Sequence, residues 1–253
     1  MAKTVAVVNQ KGGVGKTTTA VNLAASLGFR DKKVLLADID PQGNSTSGFG
    51  IYKKDLSLSS YDVIMGTASA PEAIMKTEFK NVDILPGGLD LAGAELELAD
   101  SPHREARLKN ALAQVKENYD FIILDCPPSL GLITLNGLVA ADSLIVPIQC
   151  EFYALEGLAQ LISTTRTVKR LYNPYIDIEG VLLTMYDGRL NLTQQVVDEV
   201  KKGFPGKVYS AYIPRNVRLS EAPSFGQPVL YYDKSSKGAA AYLALADEFL
   251  KKQ

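Results

Sequence analysis

The 253-residue chain is long enough for one large α/β domain with a substantial core, or for two small domains. It carries 27 Lys and Arg against 28 Asp and Glu, a formal charge of −1, so no global charge directs it to nucleic acid or to a membrane. Its two cysteines, Cys126 and Cys150, are too few for a disulfide framework, and we expect buried free thiols. A strand predicted directly at the N-terminus leaves no room for a signal peptide, and no apolar stretch approaches the roughly 18 residues of a membrane span. We therefore expect a soluble cytoplasmic protein.

Short, continuously apolar and β-branched segments predict strands that are covered on both faces, as in a parallel sheet. They lie at residues 4–8, 34–37, 121–124, 144–148 and 181–185. Segments of helical length lie at residues 17–28, 105–118, 130–141, 155–172, 192–202 and 236–252. This alternation predicts right-handed crossovers and an α/β fold, a doubly wound, mostly parallel sheet flanked by helices. Ligands of such sheets bind at the carboxyl ends of the strands.

Residues 40–102 interrupt the alternation with many glycines and short helical pieces. We interpret them as an elaborated surface segment and not as a second domain. There is no low-complexity linker and no internal repeat in the sequence. We therefore expect residues 1–253 to form a single domain.

Residues 10–17 follow the first predicted strand and open the first predicted helix, which is the context that a phosphate-binding loop requires. Its glycines let the backbone approach phosphate oxygens with successive N–H groups, and the helix adds the positive end of its dipole. The residues expected to bind the nucleotide here are Lys11, Gly12, Gly13, Val14, Gly15, Lys16, Thr17 and Thr18. The simpler alternative is a glycine turn between a strand and a helix.

Three side chains of the loop have separate expected roles. Lys16 would reach the β- and γ-phosphates of ATP, and the Thr17 hydroxyl would bind Mg²⁺. Thr18 is placed to donate to an α-phosphate oxygen. Lys16 is therefore predicted to be catalytic as well as nucleotide-binding.

The loop departs from the common pattern, because Gln10 stands where that pattern has glycine and Lys11 directly precedes Gly12. It resembles the deviant phosphate loop (deviant Walker A) of the P-loop NTPases of the ParA/MinD/nitrogenase-iron-protein class. That resemblance implies an ATP-dependent homodimer in which Lys11 reaches across to the partner's phosphates and is catalytic. A cation supplied in trans stabilises charge on the transferring phosphoryl group, as an arginine finger does. The alternative for Lys11 is a solvated loop lysine.

Carboxylates follow two of the predicted strands. Asp125 ends the apolar segment 121–124, where a Walker-B aspartate would bind Mg²⁺ through water, or it caps the next segment. Asp38 and Asp40 follow segment 34–37, and alternation places both carboxylates on one side of that strand. The resemblance assigns Asp40 the orientation of the attacking water, and we expect the metal site to comprise Thr17, Asp40 and Asp125. Asp38 would hold the magnesium shell or the loop, and either residue is alternatively a turn residue before Pro41.

Four further segments resemble the ParA/Soj branch of the class. They are residues 125–131, 149–157, 179–185 and 213–224, so the resemblance covers nearly the whole chain. It implies that Pro214, Arg215 and Asn216 lie against the adenine of ATP. Residues 242–253 lack the basic and bulky apolar face of a MinD-type membrane-targeting helix, so we expect no membrane binding.

The resemblance also implies that the ATP-bound dimer binds double-stranded DNA without sequence preference. Residues 187–237 contain eight basic and five acidic residues, an excess too small to argue DNA binding from charge alone. The predicted contacts are Arg189, Lys201, Lys202 and Arg218. For each of them a solvated surface position is the alternative.

The function implied is that of a slow DNA-partition ATPase, associated with the nucleoid and stimulated by a ParB/Spo0J-type centromere-binding partner. A MinD-like membrane-associated regulator is the alternative, and the C-terminal segment argues against it. A metal-cluster carrier like the nitrogenase iron protein is disfavoured because neither thiol lies in a Cys-x-x-Cys motif. The single histidine, His103, has no partner at metal-ligand spacing and is assigned to structure only.

Overall fold

The computed structural model describes residues 1–151 and 154–253, and the side chains of all but residues 152–156. Seven strands form one sheet in the spatial order β3-β4-β2-β5-β1-β6-β7. Every neighbouring pair is parallel except β3 and β4, which are antiparallel. The strands are β1 Lys3–Val7, β2 Val34–Asp38, β3 Met75–Lys76, β4 Val82–Leu85, β5 Phe121–Asp125, β6 Ser143–Gln149 and β7 Asp177–Thr184.

Helices of very different length connect and cover these strands. The first six are α1 Lys16–Phe29, α2 Asn44–Gly48, α3 Ser60–Met65, α4 Ala70–Ala73, α5 Leu91–Glu97 and α6 Arg107–Ala113. The others are α7 Leu132–Ala140, α8 Ala154–Leu171, α9 Asn191–Gly203, α10 Val217–Glu221, α11 Val229–Tyr232 and α12 Lys237–Lys251. No helix of the described residues is both long and apolar enough to cross a bilayer.

The apolar core lies on both faces of the sheet. Along β1, Val5 and Val7 belong to the core cluster that includes residues of α1, α11 and α12, whereas Ala6 belongs to the cluster on the opposite face, which includes residues of α3 to α9. Because successive strand residues point to opposite faces, a strand buried on both sides is apolar throughout. The predicted α/β, doubly wound, mostly parallel sheet is thus confirmed.

The prediction for residues 40–102 is wrong in one respect, because a buried strand runs through this segment. Strand β4 pairs with β2 in parallel, and all four of its residues are buried. Its Asp83 is neutralised by Lys76 Nζ at 2.7 Å and accepts a hydrogen bond from the Tyr119 hydroxyl at 2.8 Å. The segment therefore extends the sheet as well as covering it.

The helix predicted over residues 105–118 is shorter than expected. Helix α6 covers Arg107–Ala113 only, and separate 3₁₀ turns occupy Arg104–Ala106 and Lys116–Asn118. The Asn136 side chain of α7 accepts from Leu108 N at 3.1 Å and donates to Arg104 O at 2.8 Å, which satisfies the backbone where the turn and the helix meet.

The register of the central strands brings their carboxyl ends to one edge of the sheet. Val7 of β1 and Asp38 of β2 both lie opposite Asp125 of β5. The loop at residues 10–17 and the predicted acidic residues therefore start from adjacent strands.

Candidate nucleotide-binding site

The loop between β1 and α1 has the backbone conformation that its glycines allow. Gly13 and Gly15 have φ values of +73° and +86°, in the left-handed region that favours glycine. Gly15 is the residue before α1, and its carbonyl accepts the hydrogen bond from Thr19 N at 2.9 Å. Among the residues that the structure describes, none has an atom within 4 Å of a Cβ placed at Gly12 or Gly13.

Lys16 lies in the first turn of α1 and is folded back over the loop. Its side chain is buried, and Nζ donates to the Lys11 carbonyl oxygen at 3.1 Å. Burial lowers the pKa of Lys16, and the nearby carboxylates of Asp125 and Asp40 oppose this shift. The structure therefore brings together three of the residues that the sequence predicted for the site.

Lys11 is held within its own chain. Its Nζ lies 2.8 Å from Glu151 Oε2, and its amide donates to Asn9 Oδ1 at 3.0 Å. Asn9 in turn donates from Nδ2 to the Pro147 carbonyl at 2.8 Å, which ties the start of the loop to β6. Lys11 is therefore paired with a carboxylate and is not a purely solvated lysine. The action of Lys11 in trans stays a prediction.

A hydroxyl at the end of β7 supports the middle of the loop. Thr184 Oγ1 lies 2.8 Å from the Val14 carbonyl oxygen and 3.1 Å from the Ile148 carbonyl oxygen, so its single O–H is shared between two acceptors, of which Val14 is the nearer. Thr184 and Val14 are both buried. Three segments far apart in sequence, the loop and the ends of β6 and β7, are joined by this side chain.

Asp125 is fully buried, with different surroundings for its two carboxylate oxygens. Oδ2 accepts from the Ser45 hydroxyl at 2.8 Å, whereas Oδ1 has no hydrogen-bond partner among the described residues. Burial raises the pKa of Asp125 to about 8, the charge of Asp38 adds to this, and the nearby Ser45 and Thr17 hydroxyls lower it. An orphaned acceptor beside a threonine hydroxyl is suited to a cation or its bound water.

Asp38 holds the following loop in place. Its Oδ2 accepts from both N and Oγ1 of Thr46 at 2.8 Å each, and its Oδ1 accepts from Asp40 N at 3.2 Å. Burial raises the pKa of Asp38 to about 6. Of the two roles left open for Asp38, these contacts favour fixation of the loop.

Asp40 combines a turn with proximity to the site. Its Oδ1 accepts from Gln42 N at 2.9 Å and its carbonyl accepts from Gly43 N at 2.8 Å. The turn that was the alternative for Asp40 is therefore present, and the buried carboxylate also acts on Lys16.

The donor set fits Mg²⁺ held largely through water and phosphate. The oxygens of Thr17, Asp40 and Asp125 are the hard ligands that Mg²⁺ prefers. Among the described side chains, those of residues 1–151 and 157–253, no group of three or more His, Cys, Asp and Glu is arranged to hold a metal by itself.

The segment predicted to contact adenine lies at the same edge of the sheet. Ile213 N donates to Leu183 O at 2.8 Å and Tyr186 N donates to Ile213 O at 3.0 Å, so Pro214 follows directly beside the end of β7. Asn216 Oδ1 caps α10 by accepting from Arg218 N at 3.0 Å, while Arg215 is exposed. The residues Pro214, Arg215 and Asn216 are therefore close in the fold to the Thr184 that supports the loop.

Three of the four predicted DNA contacts are paired with carboxylates of their own chain. Arg189 Nη2 lies 2.6 Å from Asp187, Lys202 lies 2.7 Å from Glu199, and Arg218 lies 2.7 Å from Glu221. Lys201 is exposed in the last turn of α9. Exposed pairs of this kind are weak and screened by salt, so a phosphate can replace the carboxylate. DNA contact by these residues stays a prediction.

Sequence reasoning missed the hydroxyl and carboxylate groups that support the site. Thr184 and Glu151 both stand at or just after the carboxyl end of a strand, which is the signal that identified Asp125. Ser45 and Thr46 carry no such signal, because they reach the site only through the turn after β2.

Comparison with known proteins agrees with this geometry. A family model described as "AAA domain" matches residues 2–178. The sporulation initiation inhibitor protein Soj of Bacillus subtilis is 57% identical over 248 residues, 98% of each chain. The chain belongs to the ParA/Soj family of chromosome-partitioning ATPases.

Further ParA/Soj relatives and structures extend the comparison. The chromosome partitioning protein ParA of Myxococcus xanthus is 50% identical over 252 residues, 100% of this chain and 89% of the relative. A structure of the Mycobacterium smegmatis cobyrinic acid a,c-diamide synthase with bound ADP and magnesium superposes with a TM-score of 0.87. It is 39% identical, with 99% of this chain and 95% of the other covered. The ParA/Soj resemblance and the ATPase activity predicted from the motifs are thus confirmed.

Proposed function

We propose that this ParA/Soj-type ATPase binds ATP and Mg²⁺ at residues 10–17 and dimerises in the ATP state. The dimer binds double-stranded DNA without sequence preference on the nucleoid, and a ParB-type partner stimulates hydrolysis and thereby release. The observation that carries the proposal is the phosphate loop with Lys16 buried between it and the carboxylates of Asp40 and Asp125. The family membership supports the cellular role.

Within the site the residues divide the task by their chemistry. The loop amides and the N-terminus of α1 offer positive partial charge to phosphates, and Lys16 adds a full charge. Thr17 and Asp125 would hold Mg²⁺, which neutralises charge on the phosphates when it is bound. Asp40, fixed by its turn and by Asp38, would orient the attacking water.

Lys11 must exchange partners if it acts across the dimer. In the single chain its Nζ pairs with Glu151, and both side chains are partly exposed, at 34% and 47%. A pair this exposed contributes at most about 1 kcal/mol, so the charge of the partner's phosphates is sufficient to displace it. Dimerisation would therefore require the triphosphate and not Lys11 alone.

The last helix favours a DNA-binding role over a membrane-bound one. Tyr242, Leu245 and Phe249 of α12 are buried on the face of the sheet that α1 covers. An amphipathic membrane anchor needs its apolar face free to enter the bilayer. Here that face is part of the core.

DNA retardation at low salt with ATP, with ADP and without nucleotide tests the proposal. We expect retardation with ATP only, decreasing steeply as salt is added because the contacts are to phosphates. Arg189→Ala should weaken it. The matched control is Lys80→Ala, which removes an exposed cation paired with Asp31 on the β3–β4 side of the sheet. Retardation that does not depend on nucleotide would contradict the proposal.

A further inference from the structure

Ser45 makes one buried contact with the acidic centre of the site. Its side chain has no exposed surface, and its hydroxyl donates to Asp125 Oδ2 at 2.8 Å across 80 residues of sequence. A serine has a single O–H to donate, and here it is given to a carboxylate. Hydrogen bonds to charged acceptors are the stronger ones in proteins.

The contact makes the two oxygens of Asp125 inequivalent. Ser45 occupies Oδ2, while Oδ1 is buried and has no hydrogen-bond partner among the described residues. A carboxylate held at one oxygen cannot rotate freely, so the other oxygen keeps a fixed direction. Thr17, the second predicted metal ligand, is the second residue of α1 and follows the loop from β1, whose last residue Val7 lies opposite Asp125.

Ser45 is also part of the segment that follows Asp40 after β2. Gly43 N donates to Asp40 O at 2.8 Å, and Gly43, with φ +58°, is the residue before α2. Ser45 is the second residue of α2 and Thr46, the third, binds Asp38 with its amide and its hydroxyl. Helix α2 is thus fixed at adjacent residues to the ends of two neighbouring strands, β2 and β5.

From these contacts we infer that Ser45 is a positioning residue for the metal. It orients Asp125 toward Mg²⁺ through one oxygen and attaches the Asp40 loop to the same carboxylate. The inference rests on the proposed binding of Mg²⁺ and ATP. Outer hydrogen bonds that orient a ligand change metal affinity by about 10- to 100-fold when they are removed.

The test is a Mg²⁺ titration of the binding of a fluorescent ADP analogue to the full chain, with Ser45→Ala and a matched control. The control is Ser60→Ala, since Ser60 is equally buried and donates one hydrogen bond of 2.7 Å, to the main-chain oxygen of Asp38. We expect Ser45→Ala to raise the half-saturating Mg²⁺ concentration by about 10- to 100-fold and excess Mg²⁺ to restore binding. Ser60→Ala should lower the melting temperature without changing the half-saturating concentration.

The outcomes distinguish failure of the proposed function from failure of the role inferred for Ser45. If the wild type binds the analogue without any Mg²⁺ dependence, the proposed function fails. If the wild type depends on Mg²⁺ and Ser45→Ala keeps its half-saturating concentration, or shifts no more than Ser60→Ala, the inference is overturned. Should Ser45→Ala not fold, Ser45→Cys gives the same test, because it preserves the volume and offers only a weak S–H donor.

Discussion

Thr184→Val replaces the side-chain hydroxyl with a methyl group of similar size. The buried Thr184 Oγ1 lies 2.8 Å from the Val14 carbonyl oxygen and 3.1 Å from the Ile148 carbonyl oxygen, and its single O–H is shared between them. Valine has nearly the same shape, so packing is preserved while the donor is lost. A buried acceptor left without its partner costs about 1–3 kcal/mol of folding free energy.

For a domain of this size about 2 kcal/mol corresponds to a fall in Tm of about 4–8 °C. Because Val14 belongs to the phosphate loop, part of the same energy should appear as weaker ADP binding, by up to about tenfold. Thermal unfolding with and without ADP, together with a binding titration, measures both effects.

Thr165→Val is the matched control for this prediction. Thr165 Oγ1 donates at 2.8 Å to the Leu161 carbonyl within α8, where such bonds add little to helix stability. We expect nearly unchanged ADP affinity and a smaller change in Tm. The reasoning is refuted if the two variants lose the same stability and both keep full ADP affinity.

Three other predictions concern neighbouring groups. Glu151→Gln weakens the in-chain pair with Lys11, so ATP-dependent dimerisation measured by light scattering should need slightly less ATP; a larger requirement would show that Glu151 supports the dimer instead. Burial raises the pKa of Asp125 to about 8 and the pKa of Asp38 to about 6, whereas both are roughly 4 in the unfolded chain. Between about pH 4 and about pH 8 the folded protein therefore binds more protons than the unfolded chain. Without nucleotide and metal its stability should therefore fall as the pH rises from about 4 to about 8, and Asp125→Asn should flatten the upper part of a plot of Tm against pH. Gly87→Ala places a Cβ 2.8 Å from Asp38 O, and we expect a loss of about 1–3 kcal/mol in denaturant unfolding; an unchanged midpoint would contradict it.

The sequence predicted the strands that contain a continuous apolar segment and missed β3 and β4, which do not. Asp83 interrupts the apolar pattern of β4, and its buried carboxylate accepts hydrogen bonds from Lys76 and Tyr119. Both partners lie outside the strand, so local pattern could not identify them. The helix predicted over residues 105–118 was also too long, and at its start Asn136 of α7 bonds to the backbone of Arg104 and Leu108, a contact between distant residues that has no local sequence signal.

The site was predictable where its residues are adjacent in sequence or end a strand. The loop residues and the aspartates after β2 and β5 meet one of these conditions. Ser45 and Thr184 meet their partners across 80 and 170 residues, and a hydroxyl in a helix or strand has no distinguishing pattern of its own. Their roles follow from packing, which one sequence does not display.

The central claim is that catalysis is shared across a nucleotide-dependent dimer, and a mixing experiment tests it directly. Lys11→Ala lacks the lysine given to the partner, and Asp40→Ala lacks the residue that orients water in its own site. Each variant alone should be inactive in ATP hydrolysis. In a twofold dimer formed by random mixing, the Lys11→Ala site receives Lys11 from the Asp40→Ala subunit, so about a quarter of wild-type activity should return. Activity that stays at the level of the separate variants would contradict action of Lys11 in trans.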